Sequence, residues 1–594
     1  MSGRTLAGTA VKAGLLGGLA VVYVAAVGMI GSFVALNLIG EQVTMSRVLM
    51  ALPAFLAGYL VARPRVQGGS VQRAATGVAV LAGTGAGLLT GGVTAAGLAL
   101  AKVPSPDTVR GIFERVTPAL FHTISFGQSV PMAALLLMLA GGALGGVGAL
   151  LQILPETYRR PINVALMCTL LMALLQRLIP TILFQLARKL GSASPREWSN
   201  WLYSSRFSGL TVIGSVVVFA ASVAVALVWA NQGPKIRARA GSLAGNRRPF
   251  VTGGAAAAIL AVLFVLPILS GPVVSLVLGT VAIFLLMGLG LNIVVGYAGL
   301  LDLGYVAFFA VGAYMMGVLT ATGDSGSSLH PQLPFLVAIP LVMLAAAFTG
   351  VLIGAPVLRL RGDYLAIVTL GFGEIARVLA VSDLLKKYLG GPLGLYHIPQ
   401  HFLGVGFNDP EKFFYLVTAF VLLALYVSWR LARSRIGRAW TAMREDEQVA
   451  EAMGISTVKY KLLAFSMGAA IGCLSGALFA VQIGSLEPLG FNIIVSITAL
   501  AVIILGGMGS IPGVIVGALV LIGIPNLLDE FQAYRLLIYG GVLVAIMILR
   551  PQGLVPNTRR ARELLEEEIE QDECGKGTGG PGIDATVVVG GAGE

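Results

Sequence analysis

The sequence is poor in charge and in cysteine, and both shortages exclude whole classes of protein. Only 11% of its 594 residues are charged, against about 25% in soluble domains, so little polar surface is available to solvate a large enzyme. The chain is 56% hydrophobic with a mean hydropathy of +0.87, which also excludes a nucleic-acid binder and a disordered scaffold. Three cysteines without a C-x-x-C pair support neither a disulfide framework nor a zinc site. We therefore expect a polytopic membrane protein.

Motifs for catalysis and for nucleotide binding are missing as well. The phosphate-binding pattern G-x-x-x-x-G-K-[ST] does not occur, since Gly575-Lys576-Gly577-Thr578 lacks the upstream glycine and GGMGSIPG at 506–513 has no lysine. His397 and His401 have a metal-like spacing, but Pro399 between them breaks the helix that such a site needs. No Ser/His/Asp or Cys/His set stands out. We expect this chain to hold no catalytic residue, no metal and no cofactor.

Long apolar runs, in contrast, fill the sequence. A membrane-spanning helix needs about 20 apolar residues, and scanning finds six such runs before residue 232 and ten after residue 252. The run at 513–527 is short enough to be re-entrant. The first run is longer than a signal-peptide core and lacks a convincing cleavage site, so we interpret it as a retained helix. The predicted fold is all-α, with about 16 transmembrane helices.

The positive charges predict the orientation in the membrane. When the runs are threaded with the N-terminus inside, the inside segments hold 26 of the 40 lysines and arginines and the outside loops hold 12. Cytoplasmic loops carry such an excess of Lys and Arg, so both termini are expected in the cytoplasm. The net charge of +12 then reflects topology and not nucleic-acid binding.

Composition divides the chain into three parts. Residues 1–245 form about six spans whose loops carry no motif that we can name, and they end in a basic linker. Residues 250–556 form about eight to ten spans with glycine-patterned loops. Residues 557–594 contain the acidic run LLEEEIEQDE and then a glycine-rich stretch, which cannot bury a core and predicts a disordered cytoplasmic tail.

The longest inside loop of the second part, residues 430–461, has a distinctive pattern. Its residues 437–453 interleave apolar and charged side chains at helical spacing, and Gly454 follows as a predicted C-terminal cap. A short amphipathic helix between two spans suits docking into a groove of a soluble partner. The alternative is a solvated helix lying on the lipid headgroups.

Six blocks of the second part resemble, in the family's order, the LivM-type permease of branched-chain amino-acid ABC importers. The blocks are GLGLNIVVGYAGLLDLGYVAFFAVGAYMMGVL (288–319), LRLRGDYLAIVTLGFGEIARV (358–378), GGPLG (390–394), GRAWTAMREDEQVAEAMGIS (437–456), LGGMGSIPGVIVGA (505–518) and YRLLIYGGVLVAIMILRPQGLVP (534–556). The resemblance extends over roughly residues 250–556 and not over residues 1–245.

The resemblance implies an ABC importer permease fold in the C-terminal half and a role for the 430–461 loop. This loop resembles the segment that seats in a cleft of the ATP-hydrolysing subunit, with coupling assigned to Glu447, Ala450, Glu451 and Gly454. Ala450 and Gly454 match the alanine and glycine of the general permease signature. The usual downstream Ile-x-Leu-Pro is absent, so that wider match is partial.

Polar side chains inside the membrane are candidates for a translocation pathway. In the second part these are Asn292, Asp302, Thr369 and Glu374. Gly371 and Gly373 would expose backbone groups to the charged ends of an amino acid. The alternative for Glu374 is a structural pair with Arg377, three residues further along the same helix.

The family also implies partners and a location. They are two ATP-binding subunits that use ATP and Mg, a sister LivH-type permease, and an extracytoplasmic substrate-binding protein. The outer loops, especially residues 382–412, would receive substrate from that binding protein. Membrane lipid surrounds the chain, and no nucleic acid is expected. The implied activity is import of branched-chain or related hydrophobic amino acids across the plasma membrane of a prokaryote.

Three other functions remain open from the sequence. One is a permease for another small polar solute such as urea or amides, another is an ATP-independent channel or receptor, and the weakest is a secondary transporter. The first six spans are a further question. If they were a fused sister permease, a second coupling loop and a second GGMGS-like turn should occur, but the short loop at 154–161 contains neither. An accessory domain is favoured.

Overall fold

The computed structural model describes residues 3–555 except 68–69, 73–74, 103–117, 190, 192–195, 205–208, 243–262, 323–325, 330, 358–362, 400, 403–404 and 408. The predicted tail at 557–594 therefore lies outside the described residues. Contacts within the chain define two compact units, Met1–Gly271 and Pro272–Glu594.

The described residues of the first unit form helices and two small antiparallel hairpins. The hairpins pair β1 (Asn37–Ile39) with β2 (Val43–Thr44) and β3 (Arg65–Gln67) with β4 (Ser70–Gln72). Residues 263–270 are also helical. The helices are α1 (Gly3–Ala26), α2 (Met29–Ser32), α3 (Met45–Val61), α4 (Thr76–Lys102), α5 (Pro118–Ile124), α6 (Val130–Ile153), α7 (Glu156–Leu174), α8 (Leu178–Lys189), α9 (Glu197–Asn200) and α10 (Val212–Ser242).

Helices α1, α3, α4 and α6 pack into a bundle whose crossings are made by glycine. A Cβ placed on Gly58 would lie 1.9 Å from the carbonyl oxygen of Gly145, and one on Gly87 would lie 2.0 Å from that of Gly141. Backbones that touch in this way leave no room for any side chain, which is how small residues bring transmembrane helices together. The glycine-rich composition of the first unit thus serves helix–helix packing.

In the second unit, the residues that the structure describes form a longer series of helices and one antiparallel hairpin, β5 (His401–Phe402) with β6 (Val405–Gly406). Its helices are α11 (Pro272–Leu291), α12 (Val306–Thr320), α13 (Phe335–Val357), α14 (Asp363–Val381), α15 (Lys386–Leu389), α16 (Pro410–Ala432), α17 (Arg435–Glu445), α18 (Glu447–Ala452), α19 (Thr457–Ile483), α20 (Ile493–Gly506), α21 (Ile511–Ala518), α22 (Ile524–Leu527) and α23 (Arg535–Leu549). Short 3₁₀ turns lie at Gly391–Leu393, Pro488–Gly490 and Asp529–Tyr534, and π-helical turns at Asn292–Tyr297 and Leu519–Gly523.

Helix α19 lies at the centre of the second unit and touches α12 through backbone contacts. A Cβ on Gly312 would lie 2.0 Å from the carbonyl oxygen of Cys473, and one on Gly476 would lie 1.9 Å from that of Phe309. The hydroxyl of the fully buried Tyr305 donates to the carbonyl of Gly468 at 2.6 Å. This crossing holds the beginning of α12 firmly against α19.

The first helix of the second unit is interrupted before the chain continues into α12. Helix α11 widens into the π turn Asn292–Tyr297, and residues 298–305 then follow without regular helix. Backbone of this kind is tolerated at membrane depth only where protein or a water-filled cavity surrounds it. The interruption therefore marks a place where backbone groups are available for contacts other than helical hydrogen bonds.

The all-α membrane fold predicted from the sequence is confirmed, whereas the count of sixteen spans is not. Eleven of the described helices are long and apolar enough to cross a membrane, or twelve if α7 and α8, bent by 78° at their junction, form one span. The sixteen apolar runs of the sequence include 48–62, 253–270, 304–321 and 513–527. The runs at 48–62, 304–321 and 513–527 correspond to shorter apolar helices, Met45–Val61, Val306–Thr320 and Ile511–Leu527. Most of the run expected at 253–270 lies outside the described residues.

Candidate functional site

Residues 434–456, which join α16 to α19, fold into two short helices separated by one extended residue. Helix α17 begins behind Ser434, whose hydroxyl accepts a hydrogen bond from the backbone N–H of Gly437. Helix α18 begins behind Asp446, whose carboxylate accepts from two backbone N–H groups at 2.8 and 3.0 Å. The expectation of one helix over 437–453 is wrong at Asp446, because an aspartate carboxylate favours the start of a helix over its interior.

The second of these helices ends where the sequence predicts. Gly454 has a φ of +85°, and the N–H of Ile455 donates to the carbonyl of Ala450 at 3.0 Å. Glycine takes this left-handed conformation without the steric cost that a Cβ imposes. Gly454 is exposed, and a Cβ there would meet nothing within 4 Å, so the backbone angle alone explains the glycine.

Two contacts anchor the 434–456 segment to the first turn of α19. The indole N–H of the fully buried Trp440 donates to the carbonyl of Tyr460 at 2.8 Å. The ammonium of the buried Lys461 lies 2.5 Å from a carboxylate oxygen of Glu447. Because one contact comes from α17 and the other from α18, both short helices are held against the membrane-spanning helix that follows them.

The opposite side of the 434–456 segment is exposed and partly apolar. Val449 and Met453 are 58% and 78% exposed, and Glu451 and Gly454 are also exposed. These exposed apolar side chains, with charged residues beside them, could contact an apolar groove of a partner or the lipid headgroups.

The four residues predicted for coupling therefore divide into two pairs. Glu451 and Gly454 lie on the exposed side, beside Val449 and Met453. Ala450 is buried, and Glu447 is half-buried and directed toward Lys461. The first pair is available to a partner, whereas the second pair holds the segment to its own chain.

Arg444, near the end of α17, connects this segment to the interrupted helix. Its guanidinium donates to the carbonyl of Gly296 in the π turn at 2.6 Å. A Cβ on Gly299, the next glycine along, would lie 2.7 Å from the Arg444 side chain. A cation near the carbonyl end of a helical segment is favourable, so the guanidinium stabilises the place where α11 stops.

Asn292 also belongs to this connection, although the sequence suggested a pathway position for it. Its side-chain oxygen accepts from the N–H of Gly509 at 2.9 Å, and the side chain is buried. Gly509 belongs to the glycine-rich turn between α20 and α21 and has a φ of +79°. The structure thus brings the π turn, this glycine-rich turn and Arg444 together.

Asp302 and Thr369 meet at a second place, in the irregular segment between α11 and α12. One carboxylate oxygen of Asp302 accepts from the N–H of Gly304 at 2.9 Å, and the hydroxyl of Thr369 accepts from the N–H of Leu303 at 3.1 Å. Both side chains are buried. The other oxygen of Asp302 has no hydrogen-bond partner among the described residues, which leaves acceptor capacity beside the unwound backbone.

Glu374, the fourth pathway candidate, pairs with Arg377 as the structural alternative predicted. The guanidinium Nη2 lies 2.7 Å from a carboxylate oxygen, and the two side chains are 32% (Arg377) and 38% (Glu374) exposed. The four candidates thus do not form one cluster: Asn292 contacts the glycine-rich turn, Asp302 and Thr369 adjoin, and Glu374 is neutralised on its own helix.

Sequence reasoning overlooked three residues of the site, namely Trp440 as an anchor, Arg444 and Lys461. In the sequence, Trp440 and Arg444 stand out only as part of the 437–456 block that resembles the permease family. Lys461 stands out only as the last residue of the basic loop at 430–461. Each acts through a backbone carbonyl or a carboxylate that is 14 to 148 residues away in the chain. Such partners are set by the fold and leave no local pattern.

The chain is a multi-pass membrane protein with interrupted helices. Between two of its spans lies the 434–456 segment, which is anchored on one side and exposed on the other, as expected of a transport permease. It belongs to the family of branched-chain amino acid transport system permease components, whose family model matches residues 273–548.

Individual relatives support this assignment. The chain is 40% identical over 316 residues to the high-affinity branched-chain amino acid transport permease LivM of Salmonella typhimurium, covering 49% of this chain and 72% of that protein. It is 42% identical over 301 residues to LivM of Escherichia coli, covering 47% of this chain and 68% of LivM. The permease LivH of Escherichia coli is 25% identical over 293 residues, covering 46% of this chain and 91% of LivH. No solved structure matches.

Proposed function

We propose that this chain is a transmembrane subunit of an ATP-driven importer for branched-chain or related hydrophobic amino acids. Similarity to LivM permeases supports the substrate class, and similarity to LivH supports a sister permease in the same complex. The chain would lie in the plasma membrane of a prokaryote, with both termini in the cytoplasm. ATP and Mg would be used by two partner subunits, because this chain has no phosphate-binding motif.

The exposed side of the 434–456 segment carries the proposal. Val449 and Met453 offer apolar surface, Glu451 adds charge at the rim, and Gly454 permits a tight exit from the helix. On the other side, Trp440 and Lys461 join the segment to α19. A partner that seats on the exposed side would therefore transmit its movement directly to a membrane-spanning helix.

From this segment, movement would pass to the interior through Arg444. The guanidinium contacts the π turn, and the π turn contacts the glycine-rich turn through Asn292. Asp302 lies six residues after Gly296 in the same irregular region. We propose that closure of the ATPase subunits displaces this region and changes which side of the membrane Asp302 and Thr369 face.

The first test replaces both exposed apolar side chains. Val449→Glu with Met453→Glu should abolish co-purification of the ATP-binding subunits and ATP-driven leucine uptake in proteoliposomes, because two carboxylates cannot be buried unpaired in an apolar groove. Val449→Thr, which keeps the shape of the side chain, is the matched control. Membrane abundance, measured by immunoblot, must be equal for all three proteins.

Each outcome distinguishes one alternative. Uptake by the double variant at the wild-type rate would exclude coupling through this segment. Uptake that needs no ATPase subunit would indicate a channel, and urea uptake that exceeds leucine uptake would replace the proposed substrate class. Purification with a binding protein and a LivH-type subunit would identify the remaining partners, and an intact transporter without a separate sister permease would revive the fused arrangement.

A further inference from the structure

A cavity lies inside the helical bundle of the first unit, far in sequence from the permease family region. Its volume is about 200 Å³. One wall is formed by α3, whose lining residues are spaced three or four positions apart and so lie on one face of the helix. Helix α6 contributes another wall. The lining residues are Val21, Arg47, Met50, Ala51, Ala54, Thr90, Gly91, Thr94, Phe126, Leu137, Ala140, Gly141 and Leu144.

The walls of this cavity are suited to hydrocarbon. Apart from Arg47, the only polar side chains in the lining are Thr90 and Thr94. The hydroxyl of Thr90 donates toward the carbonyls of Gly14 and Ala86, and that of Thr94 donates to the carbonyl of Thr90 at 2.8 Å. Both hydroxyls are thus turned toward backbone, and the space they leave has little capacity to hold ordered water.

The mouth of the cavity carries a positive charge. Arg47 is exposed in the first turn of α3, and its guanidinium donates to the carbonyl of Gln42. Among the described residues no carboxylate forms an ion pair with it. A cation at a helix N-terminus is unfavourable because the peptide dipoles already place partial positive charge there. An anion bound at this position would interact favourably with both the guanidinium and the helix N-terminus. Four further N–H groups of the guanidinium are available for it.

The cavity and the cation belong to the same end of the bundle. Phe126, which lies just before α6, also lines the mouth and is 43% exposed. Arg47, in the first turn of α3, and Phe126, just before α6, both line the cavity, so both helices begin at this end and run along the cavity in the same direction. An amphipathic ligand would lie along this axis with its charged end beside Arg47.

We propose that this cavity binds an anionic phospholipid, with part of one acyl chain between α3 and α6 and the phosphate on Arg47. A free amino acid fits less well, because its ammonium would need a carboxylate and the lining contains none. The phospholipid would fill space that the glycine crossings of the bundle leave empty and would add a stabilising component to the first unit. This site is independent of the permease function proposed above.

Native mass spectrometry of the full chain tests the proposal. The protein is purified in mixtures of phosphatidylglycerol and phosphatidylcholine, and the retained lipids are counted for each species. Wild type should retain phosphatidylglycerol preferentially. Arg47→Gln should lower its retention about fivefold and leave phosphatidylcholine unchanged. Arg63→Gln, an exposed arginine just beyond the other end of α3, is the matched control and should behave as wild type.

A second variant tests the cavity without touching the charge. Ala140→Trp places a large side chain into the cavity from its exposed wall and should remove the retained lipid, whereas Met138→Trp, two residues away and outside the lining, should not. Equal retention of the two lipids by wild type, or undiminished phosphatidylglycerol in both Arg47→Gln and Ala140→Trp, would overturn the proposal. Retention of a free fatty acid instead of a phospholipid would overturn it too.

Discussion

At the scale of single residues, Arg444 is the most informative side chain of the second unit. It leaves the 434–456 segment and reaches a carbonyl that is 148 positions earlier in the chain. A hydrogen bond from a charged donor is worth about 1.5–3 kcal/mol, so this contact couples the segment to the π turn.

Arg444→Gln should therefore lower ATP-driven leucine uptake by about tenfold or more, because the loss of about 1.5–3 kcal/mol uncouples the segment from the π turn. ATPase subunits should still co-purify, since the exposed side of the segment is unchanged. Arg438→Gln, an exposed arginine on the same helix, provides the control and should retain uptake. An Arg444→Gln transporter with normal uptake would show that movement reaches the membrane by another route.

Residue-level prediction from the sequence succeeded where the cause was local. Gly454 was expected as a helix cap, and its backbone angle confirms the cap because only the chain beside it matters. Asn292 was expected among pathway residues because it is polar within an apolar run. Its buried contact with Gly509 was not visible in the sequence, since the two residues are 217 positions apart.

At the scale of elements, the break between α17 and α18 shows how one side chain overrides a periodic pattern. The apolar spacing over 437–453 fits one helix, but Asp446 leaves helical geometry with a φ of −152° and a ψ of 114°. The interruption turns Val449 and Met453 outward while Trp440 stays buried. A continuous helix would have only one direction for its apolar stripe.

Asp446→Ala should loosen the second short helix, because an N-cap replaced by alanine costs about 0.5–2 kcal/mol. Hydrogen exchange of the amides of residues 448–452 should accelerate, and uptake should fall severalfold. Asp446→Ser retains a side-chain oxygen for the same amides and should restore most of both properties. If these amides exchange as slowly in the Asp446→Ala variant as in the Asp446→Ser variant, the carboxylate does not act as the cap.

The glycine crossings of the first unit give a paired prediction on one helix. Gly87→Ala would place a Cβ 2.0 Å from the carbonyl oxygen of Gly141, whereas Gly85→Ala meets nothing within 4 Å. We expect Gly87→Ala to lower the thermal unfolding midpoint of the purified chain or its membrane abundance. Gly85→Ala should leave the midpoint equal or slightly higher, since alanine is favoured over glycine in helices by about 1 kcal/mol. Equal midpoints for the two variants would show that α4 and α6 do not touch there.

At the scale of the whole molecule, hydropathy predicted the architecture well and the individual spans less well. The long apolar runs form long helices because about 20 apolar residues are needed to cross a bilayer. Within the bilayer, a helix also satisfies the hydrogen bonds of the backbone N–H and C=O groups. Bends and short helices escaped prediction. The 78° bend between α7 and α8 and the π turn after α11 depend on backbone geometry, which average apolarity does not encode.

The family model matches residues 273–548, which all lie in the second unit. A chain that begins at residue 250 should therefore insert and support ATP-driven uptake within about twofold of the full chain at equal abundance. The basic loops of the second part, such as residues 430–461, remain in this chain and should still specify its orientation. Complete loss of uptake despite normal insertion would make the first unit an obligatory part of the transporter.

Helix α16 gives the second unit a mechanical property. Its 23 residues run from Pro410 to Ala432 with no proline or glycine after the first position, and at 1.5 Å per residue they form a rod about 35 Å long. One end follows the loops at 382–409, and the other enters the 434–456 segment. Because the helix contains no proline or glycine after its first position at which it could kink, we expect a displacement at one end to be transmitted along its length to the other end.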